Sequence, residues 1–168
     1  MNPMDGYGSL RSHSLFGGMD DGDMRKITSL LKPRRFERGK LIIREGETND
    51  TLYFIREGEV EILKRVPAGG PETGKRIAVL SRGDAFGEME LIDIQPSPAT
   101  VRTLRRTDVL TLSNTDLYGI SKWNLKTYTL IIMNLAREIS RRLRRMDELY
   151  ANALYAAESG SNLIEEEP

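Results

Sequence analysis

The stretch Phe86-Gly87-Glu88-Met89-Glu90-Leu91-Ile92-Asp93-Ile94-Gln95-Pro96-Ser97-Pro98-Ala99-Thr100-Val101 combines a glycine, an acidic residue, a short apolar turn, a loop broken by proline and a strand. Gly87 lets the backbone approach a ligand closely. The first turn of a helix offers unpaired N–H groups that suit an anion. A carboxylate beside such a site, here Glu88, can accept a hydrogen bond from a hydroxyl such as that of a ribose. These features together indicate a site for a small phosphorylated sugar.

The same stretch resembles the phosphate-binding cassette of cyclic nucleotide-binding domains, the family of the bacterial catabolite activator and of kinase regulatory subunits. That cassette reads Phe-Gly-Glu, two apolar or small residues and Leu, and it closes with Arg, a small residue and Ala-Thr-Val. The opening is matched by residues 86–88 and Leu91, and the close by residues 99–101. The resemblance implies a ligand site formed by Phe86, Gly87, Glu88, Met89, Leu91, Ser97, Ala99 and Thr100, with cAMP or cGMP as the possible ligand.

Two residues depart from the cassette. Ser97 stands where the family has an Arg that contacts the cyclic phosphate, and Pro98 stands where a backbone N–H also faces it. A charge-assisted contact contributes about 1.5–3 kcal/mol, so we expect cAMP to bind weakly or not at all. A replacement cation could come from Arg82, from Arg102 or from the long C-terminal helix. Glu90 adds a carboxylate near the same site.

Composition excludes several kinds of site. The chain has 25 Lys and Arg residues against 25 Asp and Glu residues, so no overall charge favours nucleic acid. It contains no Cys and one His, His13, which we expect to lie exposed in a loose arm, so we predict no metal site and no enzyme. No apolar run approaches the length of a membrane span. We therefore expect a cytoplasmic protein without a membrane segment.

The spacing of apolar residues predicts a mainly β fold. Short apolar runs between Phe36 and Leu112 are separated by glycines at intervals typical of antiparallel sheets. Together with the resemblance they predict a double-stranded β-helix, a jelly-roll-like β-roll, with a short N-terminal helix and a long C-terminal dimerisation helix. We divide the chain into a flexible arm at 1–18 that is anchored late by Leu15 and Phe16, a cyclic nucleotide-binding-like β-roll with flanking helices at 19–123, the long helix at 124–158 and an acidic tail at 159–168.

The long helix is predicted to overhang the rest of the domain and to form a parallel homodimer through residues 125–155. Its apolar stripe consists of Ile132, Leu135, Ile139, Leu143, Met146 and Leu149, extended by Tyr150, Leu154 and Tyr155. Five arginines lie between Arg137 and Arg145, and three roles stay open for them: a charged face beside the seam, a surface for an acidic partner, or an inward Arg that reaches the ligand.

Two functions follow from the resemblance. The first is a cyclic nucleotide-binding-like sensor that couples a small phosphorylated ligand to a dimeric C-terminal helix, whose surface an unidentified protein partner reads. The alternative is a degenerate domain of the same fold that serves dimerisation or scaffolding and binds no nucleotide. In DNA-binding members the long helix leads into a helix-turn-helix, and only a short tail follows it here, so we expect no sequence-specific DNA binding.

Overall fold

The computed structural model describes residues 10–65, 74–93 and 95–162, so the first nine residues of the predicted arm and residues 163–168 of the predicted tail lie outside it. The strands are β1 Lys32–Phe36, β2 Leu41–Ile43, β3 Thr51–Glu57, β4 Glu59–Arg65, β5 Gly74–Ser81, β6 Ala85–Phe86, β7 Thr100–Thr103 and β8 Thr107–Ser113. The principal helices are α1 Asp21–Leu30, α2 Glu88–Ile92, α3 Asn114–Trp123 and α4 Leu125–Asn162.

The strands form two antiparallel four-stranded sheets, which confirms the predicted β-roll. One sheet has the order β1-β8-β3-β6 and the other β2-β7-β4-β5. Strand β8 is central to the first sheet, with Lys32 of β1 paired to Thr111 and Leu52 of β3 paired to Leu112. In the second sheet Leu63 of β4 pairs with Thr100 of β7, which brings the end of the 86–101 stretch beside β4.

Strand β3 explains how two apolar clusters arise from one sheet. Successive side chains of a strand point to opposite faces, and β3 is buried on both. Leu52 and Phe54 join the cluster under the helices, while Tyr53 and Ile55 join the cluster between the sheets. The inter-sheet cluster consists of Ile43, Tyr53, Ile55, Val60, Phe86, Val101 and Val109. Phe86 thus anchors the 86–101 stretch inside the roll.

Side-chain oxygens fix the starts of two helices. Asp20 Oδ1 accepts a hydrogen bond from the backbone N of Asp23 at 2.8 Å and caps α1. Helix α3 is capped by Ser113, whose Oγ accepts from the backbone N of Asp116 at 3.1 Å. Asn114 and Thr115 lie within the first turn of that helix.

Helix α4 is 38 residues long and therefore about 57 Å from end to end. Its first half packs on the body of the domain, with Leu135 fully buried and Ile132 packed against the core. The predicted continuous dimer stripe is therefore wrong at these two positions. From Leu143 onward the described apolar side chains are exposed: Leu143, Met146, Leu149, Tyr150, Leu154 and Tyr155. The helix also continues through Ser159 and Gly160, where we expected it to end.

The described part of the N-terminal arm is fastened to the body at Leu15 and Phe16, the two residues predicted to anchor it, and the prediction of an exposed His13 is wrong. Leu15 and Phe16 are buried, and Asn134 of α4 donates hydrogen bonds to the carbonyl oxygens of Leu15 at 3.1 Å and Gly17 at 2.9 Å. His13 is partly buried and packs edge-on against Phe54, with ring centroids 5.3 Å apart. Its Nδ1 accepts from the backbone N of Leu15, and burial lowers the pKa of His13.

Within the described segments no helix combines the length and the apolar character needed to cross a membrane.

Candidate functional site

Phe86 and Gly87 fix the start of the candidate site between β6 and α2. Phe86 is buried and stacks on Tyr53, with ring centroids 4.8 Å apart and planes within 4°. Gly87 has φ of +84°, and a Cβ there would lie 2.4 Å from the carbonyl oxygen of Thr51. No residue with a side chain fits at this position, because both the dihedral angle and the space are unsuitable. The backbone approach expected from the sequence is therefore made to β3.

Glu88 is the first residue of α2 and is only 5% exposed. Its Oε1 accepts a hydrogen bond from Arg142 Nη1 of α4 at 2.5 Å. Arg142 also donates from Nη2 to the carbonyl oxygen of Ala85 at 2.8 Å. One arginine of the long helix thus binds both the Glu88 carboxylate and the backbone of Ala85 at the start of the 86–101 stretch. Arg142 therefore points toward the candidate site, where its described contacts are to Glu88 and Ala85, while a contact to a ligand stays a prediction.

The neighbouring arginines form a charged helix face instead. Arg137 donates to Asn134 Oδ1 at 2.8 Å, Arg141 to Glu138 Oε2 at 2.6 Å, and Arg144 reaches Ser140 Oγ at 3.5 Å. Each of these contacts lies within α4, at a spacing of three or four residues. Arg142 differs from them because its guanidinium contacts Glu88 and Ala85, which lie outside α4.

Met89 and Leu91 have different surroundings, although both belong to the site implied by the resemblance. Leu91 is buried in the core under the helices. Met89 is 50% exposed and lines an apolar groove of about 250 Å³ between α2 and α4, together with Ile92, Pro96, Pro98 and Ile139. The structure therefore places Met89 at the surface where α2 meets the long helix.

Ser97 is nearly fully buried, at 2% exposure. Its backbone is tied to the loop after β2, since its N–H donates to the carbonyl of Glu47 at 2.8 Å and its carbonyl accepts from the N–H of Gly46 at 2.9 Å. Its Oγ has no hydrogen-bond partner among the residues that the structure describes. A buried hydroxyl is normally paired, and this one has no partner within the described segments, so it is available to a ligand group.

Ala99 and Thr100 complete the candidate set and are partly buried. Thr100 begins β7, and its Oγ1 accepts a hydrogen bond from the backbone N of Glu45 at 3.0 Å. The hydroxyl of Thr100 therefore fixes the loop after β2 in the same way as the backbone of Ser97 does. Both residues join the closing part of the 86–101 stretch to residues 45–47.

A cation that the sequence did not suggest lies beside this closing part. Lys64 of β4 donates from Nζ to the carbonyl oxygen of Pro98 and to Glu45 Oε1, the latter at 2.9 Å. Among the suggested replacements, Arg102 is held by Glu61 at 2.7 Å and Arg82 is exposed. The pairing of Leu63 with Thr100 accounts for the position of Lys64, and a single sequence does not show which strands pair.

Among the described residues no cluster of three or more His, Asp or Glu side chains is arranged to hold a metal ion. The carboxylates of the site are occupied by cations of the protein itself, Glu88 by Arg142 and Glu45 by Lys64.

Residues 33–122 match the family model described as "Cyclic nucleotide-binding domain". A putative potassium channel protein of Rhodopseudomonas palustris is 39% identical over 106 residues, which are 63% of this chain and 24% of that protein. A CRP-like cAMP-activated global transcriptional regulator of Mycobacterium tuberculosis is 30% identical over 146 residues, 87% of this chain and 62% of the relative. The crystal structure of the Thermus thermophilus catabolite activator protein matches with a TM-score of 0.72 and 27% identity, over 84% of this chain and 63% of that one.

The chain spans less than two thirds of the length of these relatives. They are named as a channel, a transcriptional regulator and a catabolite activator rather than as enzymes. The family model covers residues 33–122, more than half of the chain, and includes the whole 86–101 stretch. The chain belongs to the cyclic nucleotide-binding domain family.

Proposed function

We propose that this chain is a regulatory domain in which a ribose-bearing nucleotide and Arg142 of α4 compete for Glu88. The observation that carries the proposal is the ion pair between Arg142 and Glu88, because it joins the long helix directly to the carboxylate that the resemblance assigns to the ligand. A ligand can shift a conformational equilibrium only through different contacts in the two states. Glu88 offers such a contact to either partner.

The burial of Glu88 sets the direction of the effect. The Glu88 side chain is 7% exposed, so a ligand hydroxyl needs room that Arg142 now occupies. The Arg142 side chain is 36% exposed and can move toward solvent with its helix. Ligand binding would therefore release α4 from Glu88 and from the carbonyl of Ala85, which changes the position of the long helix.

The exposed half of α4 is the proposed output surface. Its apolar side chains from Leu143 to Tyr155 lie outside the body of the domain. An apolar stripe of this kind is usually covered by a second helix, and we propose a parallel homodimer through residues 143–155. Light scattering should give twice the 19.0 kDa chain mass. Leu143→Glu should yield monomers, because it places a charge in the seam; a monomeric wild-type protein would refute the dimer.

Calorimetry with cAMP and cGMP tests the shared carboxylate. cAMP is the first probe because the Mycobacterium tuberculosis relative is named as cAMP-activated. Arg142→Met should raise cAMP affinity about fivefold or more, since it removes a charged competitor, and Glu88→Gln should lower it. Arg144→Met, on the same helix but with its guanidinium directed to Ser140 Oγ at 3.5 Å, is the matched control. A loss of affinity in Arg142→Met would mean that Arg142 holds the ligand rather than competing with it.

A second candidate function is the degenerate scaffold, which Ser97 and Pro98 favour. The chain lacks an arginine and a backbone N–H at the two positions that face the phosphate in the family. The double variant Ser97→Arg with Pro98→Ala should gain at least tenfold in cAMP affinity when the rest of the pocket is intact. Adding Glu88→Gln should remove most of the gain. A folded double variant that gains nothing would favour the scaffold.

A further inference from the structure

Ser97 forms one side of the candidate site. The Ser97 hydroxyl is buried and unpartnered within the described residues, while its backbone is held on both sides by Gly46 and Glu47. The hydroxyl therefore has little freedom to find a partner elsewhere. A polar atom in this state costs stability unless another group pairs with it, and a polar group of a ligand could do so.

Lys64 brings a positive charge to the same place. Its Nζ contacts the carbonyl of Pro98, the residue after Ser97. Strand alternation puts Lys64 on the same face of β4 as Val60 and Ile62, and both of these pack in or against the cluster between the sheets. Lys64 follows them at the exposed end of that face, and its ammonium group reaches the loop that carries Ser97.

Glu45 balances this charge when no ligand is bound. Its Oε1 lies 2.9 Å from Lys64 Nζ, and its Oε2 accepts from the backbone N of Arg65 at 2.8 Å. The Arg65 N–H, and after it the Lys64 ammonium, lower the pKa of Glu45, so the carboxylate is charged at neutral pH. Lys64 is paired with this carboxylate, and 47% of its side chain is exposed to solvent.

We propose that Lys64 supplies the cation for an anionic ligand group at Ser97, that Ser97 Oγ donates a hydrogen bond to it, and that Glu45 restrains Lys64 until the ligand arrives. This proposal rests on the proposed nucleotide site and assigns its charge preference. The ligand class is a ribose phosphodiester rather than a neutral nucleoside. A lysine gives a point charge without the planar fork of an arginine. Its contact with the anionic group is therefore weaker and less directional than the contact of the arginine in the family cassette.

Two other cations considered for this role, Arg102 and Arg142, are paired with carboxylates of the protein. Arg102 is bound to Glu61 on the second sheet, at 2.7 Å from its carboxylate. Arg142 is bound to Glu88 at the opposite end of the 86–101 stretch. Of the described cations considered for this role, Lys64 contacts the Ser97–Pro98 segment.

The test compares cAMP with adenosine, which has the same base and ribose without the phosphate. Lys64→Met should lower cAMP affinity about tenfold or more and leave adenosine affinity within about twofold. Glu45→Gln should raise cAMP affinity several-fold, because it releases Lys64. Lys122→Met on α3, far along the chain and packed over Tyr118, is the control and should change neither. Raising the salt concentration should weaken cAMP binding to the wild type more than to Lys64→Met.

Each outcome separates this inference from the proposed function. Equal losses for cAMP and adenosine in Lys64→Met would show that Lys64 only holds the Pro98 loop, which overturns the inference. Unchanged cAMP affinity would also overturn it, while leaving the nucleotide site in place. When the wild type binds neither probe at millimolar concentration, the proposed site itself fails and the inference fails with it.

Discussion

The ion pair between Arg142 and Glu88 can be measured without any ligand, by a double-mutant cycle on folding stability. The cycle uses Arg142→Met, Glu88→Gln and the double variant, with urea unfolding as the assay. Glutamine keeps the shape of the side chain and an acceptor oxygen, so the coupling term reports mainly the charge. Methionine keeps most of the aliphatic stem of arginine.

The structure limits the size of the effect. Surface ion pairs contribute about 0.2–1 kcal/mol, whereas breaking a buried pair costs about 3–5 kcal/mol. Glu88 is almost fully covered and Arg142 is about one third exposed, with a further hydrogen bond to Ala85. After allowance for solvent screening of Arg142, we expect Arg142→Met to cost about 1.5–2.5 kcal/mol and the coupling term to be about 1 kcal/mol.

The result that refutes this reasoning is a coupling term below about 0.3 kcal/mol, the usual error of such a cycle. Glu88 would then be stabilised by the first turn of α2 and not by Arg142. Because both partners are charged and Arg142 is accessible, the coupling should also fall in 1 M salt. A salt-independent coupling would indicate packing of the arginine stem instead of its charge.

Three further predictions concern the backbone and the titrating groups. Gly87→Ala should lower the free energy of unfolding by about 2–4 kcal/mol, since φ is +84° and a backbone oxygen would lie 2.4 Å from the new Cβ. Gly39→Ala is the control: φ is +79° but the space is open, so the loss in the same unfolding assay should be about 1 kcal/mol. NMR titration of His13 should give a pKa below 6.5 because of burial, and Arg142→Met should raise it by removing a nearby positive charge; an ordinary pKa would contradict the burial. The Arg35 hydrogen bond lowers the pKa of Asp108 below 3.8, so the ionised carboxylate contributes its full stabilisation above about pH 5 and loses it as the pH falls through the lowered pKa. Asp108→Asn should therefore reduce the dependence of the unfolding free energy on pH below about pH 5. An unchanged pH dependence would contradict this.

The β-roll was predictable because its signals are local. Strand β3 has apolar residues at successive positions between turn residues, and Gly58 and Gly83, which follow strands, take positive φ. The need for glycine at position 87 was readable as a close backbone approach, but the sequence predicted an approach to a ligand and the structure shows one to Thr51 of β3. These features depend on residues close together in sequence, which is what a single sequence shows best.

The contacts of Arg142 and Lys64 were not predictable in the same way. Five arginines lie on one stretch of α4, and the one that turns inward depends on how the helix crosses the body. Lys64 reaches Pro98 only because β4 pairs with β7, a register set by the whole sheet. Leu135 has the spacing of a dimer stripe, yet it belongs to the core of its own domain, since both environments select the same apolar residues.

The contacts of Asn134 bear on when the chain can fold during synthesis. They join Leu15 and Gly17 to a helix that lies 119 and 117 residues further along the chain. Leu15 and Phe16 share their apolar cluster with Ile131 and Leu135. On a ribosome the first of these residues must therefore wait, exposed, until α4 has emerged from the exit tunnel. We expect the domain to complete its fold after synthesis rather than strand by strand, and nascent chains that stop before α4 to be the aggregation-prone species.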